Sequence, residues 1–155
     1  MSFAILDTNI LVHYLRKSSL SETIQTYLNT QNLIPFISVV SKAELMAIAK
    51  MNHWGDEKLR DLNGILANLN YLDIEYNNSE LLNSYAIIQA FSQGKIPAPD
   101  GKTLNKSARN MGKNDLWIAA TTYALNAVLI TNDNDFDHLN NAFFTVKKFQ
   151  TTFLF

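Results

Sequence analysis

The stretch Gly112 to Phe136, GKNDLWIAATTYALNAVLITNDNDF, constrains the fold more than any other. After Asn114 and Asp115, the residues Leu116, Ala119, Ala120, Tyr123, Ala124 and Ala127 recur at helical spacing. They predict a helix whose packed face is partly alanine and can lie close against a sheet. Asn126 suits the left-handed conformation that ends a helix. Val128, Leu129 and Ile130 then read as a short strand buried on both faces, the mark of a parallel sheet. The chain turns polar at once through Thr131, Asn132, Asp133, Asn134 and Asp135 before Phe136 returns to the core. Open α/β sheets bind their ligands at that carboxyl edge.

The remaining chain repeats the pattern. Phe3 to Leu6 is an apolar run ending at Asp7, and Ile10, Leu11, Tyr14 and Leu15 follow at helical spacing, so Asp7 is expected at a strand's carboxyl end. Ser21 is the expected start of a second helix carrying Ile24, Tyr27 and Leu28. Pro35 to Val40 reads as the next strand. Ser41 with Glu44 reads as a capping box, which puts Glu44 in the first turn of a helix near that strand's carboxyl end. Asp56 to Leu69 is amphipathic, Tyr71 to Tyr76 is a short strand or extended link, and Ser79 caps a helix that runs to about Phe91. Gly94, Pro97 and Pro99 stop it. The loop from Lys95 to Lys113 carries Lys95, Lys102, Lys106, Arg109 and Lys113 against Asp100 alone, a basic segment in a chain of net charge -1. Phe143 to Phe149 reads as a last strand, and the apolar tail Thr151 to Phe155 as a segment docked on the fold or on a partner.

A chain of 155 residues, 47% hydrophobic, makes one domain, 1–155, with a core that needs no staples. The absence of cysteine excludes disulfides, thiolate zinc sites and a thiol nucleophile, and fits the cytoplasm. The opening MSFAILDTNILVHYLRK is interrupted by Asp7, Asn9 and His13, so it reads as neither signal peptide nor membrane span.

Asp7, Glu44, Asp115 and Asp133, with Asp135 close behind, are thus all expected at one edge of the sheet. Each alone has a plain structural reading as a helix cap, capping-box member or turn residue. Together they repel, and a buried uncompensated charge costs several kcal/mol, so such a cluster calls for a cation. Oxygen-only ligands point to Mg2+ or Mn2+ rather than zinc, and a metal so held suits phosphodiester hydrolysis. Thr8, Asn9 and Thr131 are candidates to bond the carboxylates, a phosphate, or merely the turn backbone. Lys102, Lys106, Arg109 and Lys113 are candidate RNA contacts on the basic loop, or a solvated loop face. His13 reads as packed on its helix, His53 and His138 as surface residues, and Trp54 and Trp117 as packing residues.

With these residues assembled, the sequence resembles the PIN-domain ribonucleases, and within them the VapC-type toxins of bacterial toxin-antitoxin pairs. The resemblance runs nearly end to end. It rests on LDTNILVHYL at Leu6 to Leu15, ISVVSKAELMAIAK at Ile37 to Lys50, NDLWIAA at Asn114 to Ala120 and LITNDNDF at Leu129 to Phe136. It implies a three-layer α/β/α fold with a central, mostly parallel sheet, RNA cleavage dependent on Mg2+ or Mn2+, and inhibition by a small antitoxin. The family's acids carry over onto Asp7, Glu44, Asp115 and Asp133, and Asp135 matches a position that is often acidic. The departure is the loop from Gly94 to Met111, which is longer than the family's usual link into its third acid.

Other classes of function remain open from the residues: a phosphoacceptor receiver, an aspartyl-phosphate phosphatase, or a scaffold of this fold without activity. The first two also place acids at strand ends, though Asp7-Thr8-Asn9 lacks the D-x-D of such phosphatases. The expected partners are RNA, a small antitoxin protein and a second copy of the chain, with no membrane.

Overall fold

The computed structural model describes residues 2–75 and 77–150. In chain order the elements are β1 (Ser2–Leu6), α1 (Thr8–Leu15), α2 (Ser19–Thr30), β2 (Leu33–Ser38), α3 (Val39–Met51), α4 (Asp56–Ala67), β3 (Asn70–Leu72), α5 (Ser79–Ser92), α6 (Lys113–Ala124), β4 (Val128–Thr131), a 3-10 helix (Asn134–Leu139) and β5 (Val146–Lys148). The strands form one five-stranded sheet in the order β3-β2-β1-β4-β5, and every pairing is parallel. A flavodoxin-like receiver has the order 2-1-3-4-5, so the order here removes the receiver alternative.

Strand side chains alternate between faces, and that alternation builds two cores. Ala4, Leu6 and Ile130 face one way, against Ile10 and Leu11 of α1, Ile24 of α2, Leu45 of α3 and Leu62 of α4. Ile5 and Leu129 face the other, against Ile88 and Phe91 of α5, Leu116 and Ala119 of α6, and Phe136 of the 3-10 helix. The result is the expected α/β/α layering. Ala119 and Ala120 are fully buried where α6 lies over the sheet, the close approach their small side chains allow. The edge strands β3 and β5 are short, which limits exposed pairing edges.

Boundaries moved where a side chain captured an amide earlier than expected. Strand β2 ends at Ser38, not Val40, because Ser38 Oγ accepts from the Val40 amide at 3.2 Å and starts α3 there. Ser41 is therefore a buried helix residue rather than the cap, and Glu44 lies beyond the first turn. Ser18, not Ser21, caps α2, and Asn78, not Ser79, caps α5. Helix α6 starts at Lys113 behind Gly112 and stops at Ala124, with Asn126 at φ 51° in the left-handed region as its residue type suggested. The strand expected over Phe143 to Phe149 shrinks to Val146–Lys148, since Phe143 and Phe144 turn into the core between α5, α6 and the sheet. The segment expected from Tyr71 to Tyr76 forms a strand only over Asn70–Leu72; Tyr76 and the tail Thr151 to Phe155 lie outside the described residues. Among the described residues no helix is long and apolar enough to cross a membrane.

Candidate active site

From β1 the chain moves to β2 on one side and later to β4 on the other, so the sheet's switch point lies between the carboxyl ends of β1 and β4. Asp7 stands there. Its amide donates to the Ile130 carbonyl at 3.0 Å, its Oδ1 accepts from the Thr8 amide at 2.8 Å and caps α1, and its Oδ2 accepts from Thr131 Oγ1 at 2.7 Å. Thr131 Oγ1 in turn accepts from the Asp133 amide at 3.0 Å, and Asp133 Oδ1 accepts from the Asp135 amide at 3.0 Å, capping the 3-10 helix. A chain of hydrogen bonds thus runs from β1's acid to those after β4.

Glu44 reaches the same edge from α3. Its Oε1 accepts from Thr8 Oγ1 at 2.9 Å, and that hydroxyl also lies 3.0 Å from Ser41 Oγ. Asp115 comes from the first turn of α6, where Gly112 supplies no side-chain cap. Carboxylate oxygens of Asp115, Asp133 and Asp135 lie within 4.8 Å of one another. Glu44, Lys113, Asn114 and Asp115 line a cleft of about 360 Å3 at this edge.

The electrostatics record the crowding. Burial pushes the Asp7 carboxyl up to about 6, helped by the charges of Asp133 and Glu44, while the bonds from Thr131 and Thr8 pull the other way. Burial also raises Asp115 to about 7, with Asp7, Asp133, Asp135 and Glu44 all adding to the rise. Among the described residues no salt bridge reaches any of these acids; Lys148, the nearest paired lysine in sequence to the 3-10 helix, binds Asp137 at 3.0 Å. A set of carboxylate oxygens that no salt bridge meets is the donor chemistry of a hard divalent ion, and the residues present fit one.

The other candidates divide. Thr8 and Thr131 are buried and their hydroxyls are committed to Glu44 and Asp7 within the protein. Asn9 is exposed at the start of α1. Lys102, Lys106 and Lys113 are exposed, Lys102 beside Asp100 at 3.4 Å. The basic loop is tied down: the Arg109 amide donates to the Ser92 carbonyl at 2.7 Å, and its guanidinium lies 3.4 Å from the carbonyl of Asn134, between Asp133 and Asp135.

His138 is not the surface residue its sequence context suggested. Its Nε2 lies 2.8 Å from Ser92 Oγ, and its buried Nδ1 has no partner at hydrogen-bonding geometry among the described residues. Burial, then the Arg109 charge, lowers its pKa to about 4, against a smaller opposing pull from the Asp135 carbonyl, so the ring is neutral. Sequence reasoning also passed over Ser41 as a partner of Thr8; its spacing of three from Glu44, which puts both on one helix face, was the signal.

Residues 4–142 match the PIN domain family. The ribonuclease VapC1 of Haemophilus influenzae strain R2866 is 30% identical over 131 residues, covering 83% of this chain and 85% of that protein. Among solved structures, VapBC2 from Rickettsia felis, bound to a DNA fragment from their promoter, superposes with a TM-score of 0.73 at 23% identity, over 94% of this chain and 98% of that one. VapBC-1 from nontypeable Haemophilus influenzae gives 0.66 at 27% identity, over 94% and 97%. With acids gathered at the switch point of a parallel sheet and a match over nearly its whole length, the chain belongs to the PIN-domain family.

Proposed function

We propose that the protein is an endoribonuclease that hydrolyses RNA phosphodiester bonds with Mg2+ or Mn2+, and is the toxin of a type II toxin-antitoxin pair held by a small antitoxin protein. One observation carries the reading: the carboxylates of Asp115, Asp133 and Asp135 meet beside Asp7 and Glu44, and among the described residues no salt bridge reaches any of them. The relatives are named as VapC ribonuclease and VapBC. We infer that it acts in the cytoplasm, a reading that an RNA substrate and a chain without cysteine support.

In this reading Asp115, Asp133 and Asp135, whose oxygens lie within 4.8 Å of one another, would hold the ion together with Asp7 and Glu44 beside them. The bound ion supplies a lowered pKa for attacking water and a counter-charge for the phosphoryl oxygens. The chain's own residues do the rest. Thr131 and the Thr8 amide fix both Asp7 oxygens, so that carboxylate needs no reorganisation when substrate arrives. Thr8 Oγ1 holds one Glu44 oxygen, Oε1. Lys102, Lys106, Arg109 and Lys113 supply the positive rim that an RNA backbone requires beside a cluster that would otherwise repel it.

Incubation of purified protein with total RNA, with Mg2+ and after chelation, tests the reading. Cleavage is expected only with the metal, and Asp7→Asn removes it. Intact RNA at every metal concentration, or cleavage that survives Asp7→Asn, overturns it.

A further inference from the structure

A cavity of about 260 Å3 lies between the loop at Lys102 to Lys106 and the far end of the 3-10 helix. Its floor is apolar. Phe91, 3% exposed, underlies it, with Leu104 and Ala142 beside it. The neutral His138 ring is parallel to Phe91, at 2° and 6.4 Å between centroids, with its Nε2 2.8 Å from Ser92 Oγ. Its rim is polar in a particular way. Asn105 and Asn141 are exposed, and no hydrogen bond among the described residues uses their side-chain amides. Asn140 spends its Oδ1 on the Val146 amide and keeps its NH2 group. The carboxylate on the rim, Asp137, is already met by Lys148.

An apolar floor suits neither a bare anion nor a hydrated cation. Amides offer a donor and an acceptor together, which matches the edge of a nucleobase, and bases splayed from single-stranded RNA are taken up by stacking and edge bonding of this kind. The volume falls just below the ~300–1,000 Å3 of sites for drug-sized ligands, so one heterocycle fits while its sugar and phosphate stay outside, where Lys102 and Lys106 stand. We propose that this cavity is a subsite for one unstacked base of single-stranded RNA, with Asn105 and Asn141 reading its edge and Lys106 holding its phosphate. The 3-10 helix carries Asp133 and Asp135 at one end and His138 near the other, and its six residues span ~12 Å at about 2 Å each. The captured base therefore belongs to a nucleotide flanking the cut, and the subsite sets which sequences are cut. It rests on the ribonuclease reading.

The test uses a defined single-stranded RNA and a series in which an abasic unit replaces one nucleotide at a time. For the parent, one position outside the scissile pair should lower kcat/KM by about tenfold or more. In the double variant Asn105→Ala with Asn141→Gly, glycine being chosen because Asn141 sits at φ 61°, that position should lose its effect while the rest of the profile stays. Lys106→Gln should weaken every RNA of the series to a similar extent. The same series is read by fluorescence anisotropy in chelator. A single sensitive position that vanishes in the double variant then supports the subsite even where no RNA is cut, which would count against the nuclease reading alone. Identical profiles for parent and double variant, or no sensitive flanking position in either assay, overturn the subsite.

Discussion

Thr131 Oγ1 donates to Asp7 Oδ2 at 2.7 Å while accepting the Asp133 amide at 3.0 Å, so one buried hydroxyl fixes the acid of β1 and the backbone that presents the acid after β4. This bond favours the ionised form of Asp7 against the burial that opposes it. Thr131→Val keeps the shape and removes the donor, and it should raise the Asp7 pKa above about 6. The acid limb of the pH-rate profile should then move to higher pH by about one unit, with activity near pH 6 falling about fivefold and recovering in alkali. An unshifted limb would show that Asp7 does not set it.

A second expectation concerns stability without metal. The folded-state pKa of Asp7, about 6, lies above the ordinary aspartate value of 3.8. Its contribution is therefore complete below the unfolded value and is lost as pH rises through the folded one, a change of at most about 3 kcal/mol. Asp115, at about 7, extends the loss in the same direction. Chelated protein should melt at a lower temperature at pH 8 than at pH 5, and Asp7→Asn should flatten that difference. Equal slopes in parent and variant would refute the assignment.

Metal should reverse the loss. Mg2+ or Mn2+ at a hundred times its dissociation constant stabilises a folded protein by about 2.7 kcal/mol. Because the ion competes with protons on Asp7 and Asp115, its affinity should rise between about pH 6 and 7. Asp115→Asn should weaken the response. Titrating metal into stripped protein during thermal melts, at two pH values, measures both effects; a melting curve indifferent to metal would remove the shared site.

Substrate handling and chemistry should separate. Neutralising Lys102, Lys106 and Arg109 together should raise the KM for RNA and reduce the slope of log affinity against log salt by about 2, leaving turnover at saturating RNA nearly intact. Asp7→Asn should cost on the order of a hundredfold or more in turnover at any RNA concentration. Single-turnover cleavage of one RNA by both variants decides it, and a triple variant indistinguishable from the parent at every salt concentration would leave the loop a solvated insertion.

The parts legible in sequence were those that local pattern dictates. Val128 to Ile130 announced a strand buried on both faces, and Asn126 announced the left-handed turn before it. Asp7, Asp115 and Asp133 were placed at one edge because an apolar run or a helix start sits beside each. What was not legible depends on competition between neighbours. Ser38 and Ser41 are both good caps, and only the packing of Val39 and Val40 into a helix decides for Ser38. The six-residue 3-10 helix has no apolar period long enough to read, yet it turns His138 inward against Ser92, a residue far away in sequence. The tethering of Arg109 to the backbone at Asn134 is likewise a contact between segments that no spacing rule connects.

The placement of the acids on the sheet also decides how long the site outlasts partial unfolding. Strands β1 and β4 are the only ones bearing the acids directly, and each has a paired strand on either side, whereas β3 and β5 are short and form the edges. Fraying begins at such edges, where fewer contacts must be given up. Amide protons at Ala4 to Leu6 and at Leu129 and Ile130 should therefore exchange last. Asp7 and Asp133 follow the slowest-opening strands while Glu44 and Asp115 ride on α3 and α6, so heat or denaturant should draw the helix-borne acids away before it separates the strand-borne pair.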